Sequence, residues 1–313
     1  MLAALRQALP DLLASYGSAQ AVLDQKLAYV VRCPPAHVVA LNGASQAFPI
    51  LRELLHGRSL LVPSPTFGEY ERMFPAAARY ADAPGVDLTE IERRADAHDV
   101  VVLVSPNSPT GTTLSTAWLH ALAARTPGTL FLVDESFVDF SAEEPLVRRL
   151  VREPLPNVVV LMSLSKTLGV PGLRLGYLYS SDPAWKSQVV ERLPIWNLNA
   201  PAEFFLELLL KYRAELEASL ARTVADRDAF GRDLRQLPLV NAVFPSGGNF
   251  LLVRLHGDAA TASHVRERLL AERGIDVKDV SSRFPGGAFL RVAVRRPDDN
   301  ARFLSAMAGL AQV

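Results

Sequence analysis

The sequence predicts an α/β fold, with a mostly parallel central sheet, helices on both of its faces and a smaller α+β domain at the C-terminal end. Three observations lead to this prediction. Short β-branched runs alternate with helical stretches, one long helical stretch follows them, and a shorter set of strands and helices ends the chain. Such alternation is typical of parallel strands joined by right-handed crossovers. At 313 residues the chain is long enough for two domains.

The strands of the central sheet are predicted from continuous apolar runs, which suit strands that are buried on both faces. These runs lie at 59–63, 100–105, 130–134, 158–162 and 174–179. Between them, apolar positions at helical spacing predict helices near 44–55, 114–125 and 143–152.

The smaller domain is predicted to follow a long helical stretch that runs from 201 to about 237 and connects the two domains. Further strands are expected at 250–255, 275–280 and 289–294, with helices near 260–273 and 298–311. We therefore expect a large domain over 21–205 and a small domain over 206–313. Residues 1–20 form a short N-terminal segment that is expected to pack with the small domain or with a dimer partner.

Composition excludes several classes of function. Lys plus Arg total 33 and Asp plus Glu total 33, so the chain lacks the basic excess expected of a nucleic-acid-binding protein. Because no apolar run approaches the roughly 18 residues of a membrane span and Cys33 has no disulfide partner, we expect a cytoplasmic location. The six histidines form no close pair, which gives a metal site little support. Glycine motifs of Rossmann, P-loop and serine-hydrolase sites are also absent.

Lys166 carries the strongest chemical signal. It lies just after the apolar run 158–162, where an unpaired ammonium is costly to desolvate. Desolvation lowers the pKa of a lysine and favours the neutral amine that Schiff-base chemistry requires. Taken alone, a loop lysine that reaches solvent is the simpler explanation. However, Ser163 precedes Lys166 closely and Arg174 follows it after a Pro-Gly turn, so a hydroxyl and a guanidinium could form a phosphate clamp beside the lysine.

Two other polar residues follow predicted strands. Asn107 lies in SPNSPTG (105–111), and Asp134 ends the run LFLVD. Each has a simpler explanation, a turn residue for Asn107 and a helix cap for Asp134. With Lys166 they stand at the carboxyl ends of three predicted strands, which is where ligands bind in open α/β sheets.

The segment 163–176 reads S-x-S-K-x-x-x-x-P-G-L-R-x-G, which resembles the cofactor-lysine motif of fold-type I pyridoxal-phosphate enzymes in the class I/II aminotransferase group. The resemblance extends over nearly the whole chain. The segments PGLRLGYL, IWNLNAPAE and FLRVAVR are most similar to the branch that holds histidinol-phosphate aminotransferase and threonine-phosphate decarboxylase. It implies pyridoxal 5′-phosphate as cofactor, a homodimer with sites at the subunit interface, an amine or amino-acid substrate and a keto-acid acceptor.

The resemblance also implies roles for the three polar residues. Lys166 would form the Schiff base and then move a proton as general acid and base. Asp134 would pair with the pyridine nitrogen and keep the ring an electron sink, while Asn107 would donate to the phenolic oxygen. Ser163, Ser165 and Arg174 belong to the implied cofactor contacts, with Ser163 and Arg174 at the phosphate.

Further cofactor contacts are expected from the first third of the chain. Gly43, Ala44 and Ser45 stand at the entry to a predicted helix, where backbone N–H groups and the helix dipole attract an anion, although a plain helix start has the same pattern. By resemblance Phe67 stacks on the pyridine ring, with ordinary core packing as the alternative. Tyr16 matches the tyrosine that reaches the phosphate of the neighbouring subunit's cofactor.

Three residues are expected to bind substrate. Arg291 lies within the predicted strand FLRVAV, where a buried guanidinium is expensive unless it meets an anion, and the resemblance implies a fork onto the α-carboxylate. The alternative is an edge-strand arginine that faces water. Asn249 matches a family position but is also a plausible strand start. Lys278 stands where the phosphate-substrate branch commonly has an arginine, and a lysine lacks the planar fork of that residue.

The expected function is a pyridoxal-phosphate-dependent aminotransferase acting on an amino acid or on a phosphorylated or phosphonylated amine. Decarboxylation of a phospho-amino acid on the same cofactor is the alternative, and a non-catalytic protein of this fold is a third. One departure is Phe137, where the family often has a tyrosine that also bonds the phenolic oxygen. The family's N-terminal arm is largely missing, so we expect an open entrance to the site or a part of a longer fusion.

Overall fold

The computed structural model describes residues 1–82 and 85–310, which form two sheets with helices around them. The larger sheet has seven strands in the spatial order β1-β7-β6-β5-β4-β2-β3, and only β7 runs antiparallel to the others. These strands are β1 (Val38–Leu41), β2 (Leu60–Ser64), β3 (Ala78–Ala81), β4 (Val100–Val104), β5 (Leu130–Asp134), β6 (Val158–Met162) and β7 (Gly176–Ser180).

Helices cover both faces of the larger sheet, because alternate strand residues enter two separate cores. In β4, Val101 and Leu103 pack into one core, while Val100 and Val102 pack into the other. The first ten helices are α1 (Leu2–Ala14), α2 (Gln20–Val31), α3 (Ala47–Leu54), α4 (Gly68–Met73), α5 (Leu88–Ala95), α6 (Thr116–Arg125), α7 (Leu146–Arg152), α8 (Leu164–Thr167), α9 (Pro183–Val190) and α10 (Ala200–Lys211). None of the helices in the described part of the chain has the length and apolar character needed to cross a membrane.

The smaller sheet is antiparallel, with the spatial order β10-β11-β9-β8. Its elements are α11 (Arg213–Leu234), β8 (Val240–Val243), β9 (Phe250–Leu255), α12 (Ala259–Arg273), β10 (Lys278–Asp279), β11 (Ala288–Ala293) and α13 (Pro297–Leu310). Leu290 and Val292 of β11 face the helices and pack in their core. Arg291 lies between them on the opposite face, stacked on Phe250, which itself packs against Phe137 of the larger unit. This face of the small sheet is therefore directed towards the large sheet.

The predicted fold is confirmed, and the differences concern single elements. The long helical stretch predicted from 201 to about 237 divides at Tyr212, whose backbone leaves helical geometry (φ −113°, ψ 30°). The strand predicted over 275–280 shrinks to β10, and the short strands β1, β3 and β8 were not predicted. The domain boundaries at 20 and 205 stay predictions; α10 crosses the second one, and its Leu206 and Leu209 pack in a core of the larger sheet.

Candidate active site

Three adjacent parallel strands bring Asn107, Asp134 and Lys166 to one edge of the larger sheet. In the register of the sheet, Asp134 lies beside Val104 of β4 and beside Leu161 of β6. Asn107 follows β4, Asp134 ends β5, and Lys166 lies on the single turn of α8 that follows β6. The placement predicted from the apolar runs is confirmed, because carboxyl ends of parallel strands meet at the same edge.

Lys166 is exposed and has a pKa below its ordinary value. Desolvation is the largest cause, and the positive charges of Arg291 and Arg174 lower the pKa further, while Asp134 opposes them. Its ammonium nitrogen lies 5.8 Å from the centre of the Phe137 ring. These surroundings favour the neutral amine, which is the nucleophilic form.

The carboxyl group of Asp134 is buried and held by two donors. Oδ2 accepts a hydrogen bond from the hydroxyl of Tyr70 (2.9 Å), and Oδ1 accepts one from the backbone N–H of Ser136 (2.9 Å). Burial raises the pKa of Asp134, and the bonds from Ser136 and Tyr70 oppose that shift. Tyr70 was not predicted as a site residue. Its signal was present, because it lies three residues after Phe67 and both belong to one helix entry.

Asn107 is fully buried, and its amide is satisfied within the protein. Nδ2 donates to Oδ2 of Asp82 (2.6 Å) and to the carbonyl of Pro65 (2.9 Å), and Oδ1 accepts from the hydroxyl of Thr66 (2.8 Å). Both amide hydrogens are used, so a donation to a cofactor requires that one of these bonds be exchanged. Sequence reasoning did not identify Asp82, because nothing local marks it as a partner of Asn107.

A cradle of donors lies between the loop after β1 and the start of β7. Gly43 has a left-handed φ of +79°, and a Cβ at this position would overlap the guanidinium of Arg174. Nη2 of Arg174 donates to the hydroxyl of Ser45 (2.8 Å). On the other side, a Cβ at Gly176 would lie 2.5 Å from the backbone nitrogen of Ala44. A guanidinium, a hydroxyl and backbone N–H groups held this closely suit a tetrahedral anion.

The two serines of the lysine segment differ in their surroundings. Ser163 is half-buried and precedes α8, and its side chain makes no capping bond to that helix. Ser165 is buried, and its hydroxyl donates to the carbonyl of Leu175 (3.4 Å). The structure therefore leaves the hydroxyl of Ser163 available near Lys166, whereas that of Ser165 serves the connection between α8 and β7.

The aromatic residues are also placed differently from one another. Phe67 is 46% exposed at the entry to α4, with its ring 6.0 Å from that of Phe48. Tyr16 is 77% exposed and stacks on Trp196 at 4.2 Å. No aromatic contact or hydrogen bond of the described residues joins Tyr16 to the cluster around Lys166 in the same chain.

The small sheet contributes the predicted substrate residues. The guanidinium of Arg291 lies 4.3 Å above the Phe250 ring, and its buried Nε has no hydrogen-bond partner among the described residues. Burial lowers the pKa of Arg291. Lys278 is its register partner on β10 and is exposed, and Asn249 lies just before β9, with its carbonyl accepting from the N–H of Val294 (2.9 Å).

The charges of this cleft fit a cofactor with an anionic group and a ring nitrogen. Lys166, Arg174, Lys278 and Arg291 take part in none of the ion pairs found over residues 1–82 and 85–310. Arg291, with its orphaned buried Nε, needs an anion to offset its burial, and the other three basic side chains without acidic partners add to the positive potential around it. Pyridoxal 5′-phosphate matches the donor set, because the cradle suits its phosphate and the buried carboxyl of Asp134 suits its pyridine nitrogen.

Comparison with known proteins places this chain in a family. Residues 2–307 match the family described as aminotransferase class I and II. The CMP-5'-(3-aminopropyl)phosphonate synthase of Streptomyces rubellomurinus is 34% identical over 319 residues, which cover 98% of this chain and 50% of that protein. A histidinol-phosphate aminotransferase of Chlorobium chlorochromatii is 32% identical over 90% of this chain and 77% of its own length.

A solved structure extends the likeness. The L-threonine-O-3-phosphate decarboxylase of Porphyromonas gingivalis superposes with a TM-score of 0.84 at 26% identity, covering 99% of this chain and 94% of its own. The chain spans about half the length of two of the curated relatives that it matches.

Proposed function

The chain belongs to the class I and II aminotransferase family, in the branch of histidinol-phosphate aminotransferases and threonine-phosphate decarboxylases, and we propose that it transfers the amino group of an amino acid or of a phosphorylated or phosphonylated amine. Its cofactor is pyridoxal 5′-phosphate, which when bound supplies an electron sink for the bonds at the substrate's α-carbon. The observation that carries the proposal is the set of charges around Lys166. Arg291, whose Nε has no partner among the described residues, lowers the pKa of Lys166, and the buried Asp134 raises it.

Lys166 has two roles in this proposal. Its neutral amine would hold the cofactor, and once free of it the same nitrogen would accept the proton from the substrate's α-carbon and pass it on as a general acid. Asp134 holds the pyridine nitrogen protonated, and Tyr70 and Ser136 fix the orientation of its carboxyl group. These hydrogen bonds to the charged form oppose the rise in the pKa of Asp134 that its burial causes.

The remaining cofactor contacts are proposed from the cradle and the ring environment. Gly43, Ala44, Ser45, Ser163 and Arg174 are proposed to bind the phosphate, since Arg174 lies against Gly43, donates to Ser45 and has no acidic partner among the described residues. The exposed ring of Phe67 covers the pyridine face, and Asn107 and Ser165 complete the contacts after exchanging bonds that they make within the protein. Phe137 has no hydroxyl that could donate to the phenolic oxygen of the cofactor, so Asn107 is the proposed donor to that oxygen.

Substrate recognition is proposed for the small sheet. Arg291 binds the α-carboxylate through its planar fork, which compensates the cost of burying the guanidinium. Lys278 and Asn249 bind the rest of the substrate, and a phosphate or phosphonate on that part would complement Lys278. A relative at 34% identity is named for a phosphonate product, which supports this substrate class.

We also propose a homodimer in which Tyr16 reaches the cofactor phosphate of the partner subunit. The stacked rings of Tyr16 and Trp196, with Ile195 beside them, form an exposed apolar surface on the single chain. Sedimentation of the purified protein would test the dimer. The variant Tyr16→Phe should keep the dimer and weaken cofactor binding.

Decarboxylation is the second candidate, favoured by the likeness to the threonine-phosphate decarboxylase structure over 99% of the chain. The same residues would serve, because the bond that breaks is the one held perpendicular to the cofactor ring. Incubation of the holoenzyme with phospho-amino acids and aminophosphonates, together with pyruvate or 2-oxoglutarate, separates the two reactions. Consumption of the keto acid supports transamination, whereas CO₂ release without keto-acid consumption overturns it.

The cofactor chemistry has its own test. The purified holoenzyme should absorb visible light, and Lys166→Ala should abolish both this absorption and turnover. The exposed Lys211 provides the matched control, since Lys211→Ala should retain both. A wild-type protein that stays colourless with added pyridoxal 5′-phosphate would contradict the whole proposal.

A further inference from the structure

Arg283 joins the small sheet to the loop that carries Phe67. Its Nη1 donates to the carbonyl of Thr66 (2.9 Å) and forms an ion pair with Oε2 of Glu71 (3.2 Å). Its Nη2 lies so close to the same loop that a Cβ at Gly68 would be 3.0 Å away. A cation from the segment between β10 and β11 therefore stands directly beside the loop whose ring is proposed to cover the cofactor.

Arg283 extends a row of positive charges. The charges of Arg291 and Arg283 both contribute to the lowered pKa of Lys278, after desolvation, and Lys278 is the register partner of Arg291. Over residues 1–82 and 85–310, Glu71 is the one acidic side chain that pairs with any of these three cations. Holding like charges together costs free energy that a bound anion would remove.

The donors of Arg283 are only partly used. Nη1 makes both of its hydrogen bonds, whereas Nε and Nη2 make none within the part of the chain that the structure describes. The side chain is 29% exposed and Glu71 is 37% exposed, so a ligand can reach both. Two parallel N–H groups beside an ammonium match the oxygens of a phosphate or phosphonate dianion.

Resting on the proposed function, we infer that Arg283, together with Lys278, binds a phosphate or phosphonate at the far end of an α-amino acid substrate, and that Glu71 occupies Arg283 until this dianion displaces it. Arg291 holds the α-carboxylate of the same molecule. Because Arg283 already holds the carbonyl of Thr66, the dianion binds next to the Phe67 loop and covers it. A side chain without charge cannot displace Glu71, so the ion pair selects for the dianion.

The test compares matched ligands on the holoenzyme. The pairs are O-phospho-L-threonine with L-threonine, and 2-amino-4-phosphonobutyrate with 2-aminobutyrate. Arg283→Ala should raise KM for the phosphorylated and phosphonylated members about tenfold to hundredfold, with about twofold or smaller effects on the others. Arg283→Lys should restore part of the loss. Arg254→Ala is the control, because Arg254 lies on β9 of the same sheet, against Phe289.

Equal losses for both members of each pair would show a structural role for Arg283 and overturn the inference. Glu71→Gln provides a second route, because removal of the competing carboxylate should lower KM for the phosphorylated members several-fold. A higher KM in Glu71→Gln would overturn the role of Glu71.

A structural readout complements the kinetics. O-phospho-L-threonine should slow hydrogen exchange of the backbone over 66–71 in the wild type and leave it unchanged in Arg283→Ala. Wild-type enzyme that uses both members of each pair equally well would overturn this site and leave the proposed function intact. Absence of turnover with every amine would instead overturn the proposed function.

Discussion

The hydroxyl of Tyr70 donates a hydrogen bond to Oδ2 of Asp134 over 2.9 Å, and both side chains are buried. This bond links α4, which follows Phe67, to the carboxyl end of β5. It favours the ionised form of Asp134 and so opposes the rise in pKa that burial causes. One hydrogen bond therefore connects the helix that follows Phe67 with the buried carboxyl group of Asp134.

Tyr70→Phe should weaken binding of pyridoxal 5′-phosphate about tenfold, because a hydrogen bond to a buried charged group is lost. The pKa of Asp134 should rise further, so the loss should grow towards acidic pH. Titration of the apoprotein with cofactor at several pH values measures both effects. Tyr80→Phe is the control, since the buried Tyr80 hydroxyl donates to the carbonyl of Val102 instead. Equal loss in both variants would contradict the role given to Tyr70.

Gly43→Ala should reduce cofactor affinity by at least tenfold. The new methyl group overlaps Arg174, and the φ of +79° strains any residue with a Cβ. Gly57→Ala separates these causes, because Gly57 has nearly the same φ of +78° with no atom within 4 Å of the added Cβ. That variant should lose stability of about 1 kcal/mol and keep its cofactor affinity. Urea unfolding measures the change in stability of each variant, and cofactor titration measures the change in its affinity.

Arg291→Gln should raise the pKa of Lys166. A positive neighbour disfavours the ammonium form, so its removal makes protonation easier and moves the titration to higher pH. The rate at which the apoprotein reacts with pyridoxal 5′-phosphate reports this titration, since only the neutral amine reacts. In Arg254→Gln the midpoint should stay at the wild-type pH. An unshifted midpoint in Arg291→Gln would contradict the coupling between the two residues.

Glu135→Gln should change how stability depends on pH. Burial raises the pKa of Glu135 from 4.5 to about 8, and both carboxyl oxygens accept from the N–H of Leu146. Between these pH values the folded chain keeps a proton that the unfolded chain releases, so the wild type loses stability as pH rises through this window. Glu135→Gln lacks this loss. Its free energy of unfolding, compared with that of the wild type, should therefore increase by on the order of 3 kcal/mol from pH 5 to pH 8.

Urea unfolding at pH 5 and pH 8 measures this difference. Glu267→Gln serves as the control, because Glu267 is exposed on α12. A stability difference between Glu135→Gln and wild type that is the same at both pH values would show that Glu135 is ionised in the folded protein.

Most strands and the chemical residues of the large sheet could be predicted from short segments. Continuous apolar runs located β4, β5 and β6, and the polar residues just after them were predicted at one edge. Each of these patterns extends over only a few consecutive residues, so it can be recognised from the sequence before the fold is known. The division of the long helix at Tyr212 was missed, because the apolar spacing continues across it. The C-terminal part of α11, with Phe230 and Leu234, then packs in the core of the small sheet.

The sequence by itself determined which residues stand at the carboxyl ends of the strands, and by resemblance the cofactor that they serve. Only the tertiary structure decided their partners. It showed that the amide of Asn107 is already bonded to Asp82, that Tyr70 holds Asp134, and that Arg283 meets the carbonyl of Thr66 across 217 positions of the chain. The physical reason is that local propensity sets the direction of a strand, whereas a hydrogen bond between distant segments depends on how both sheets pack together.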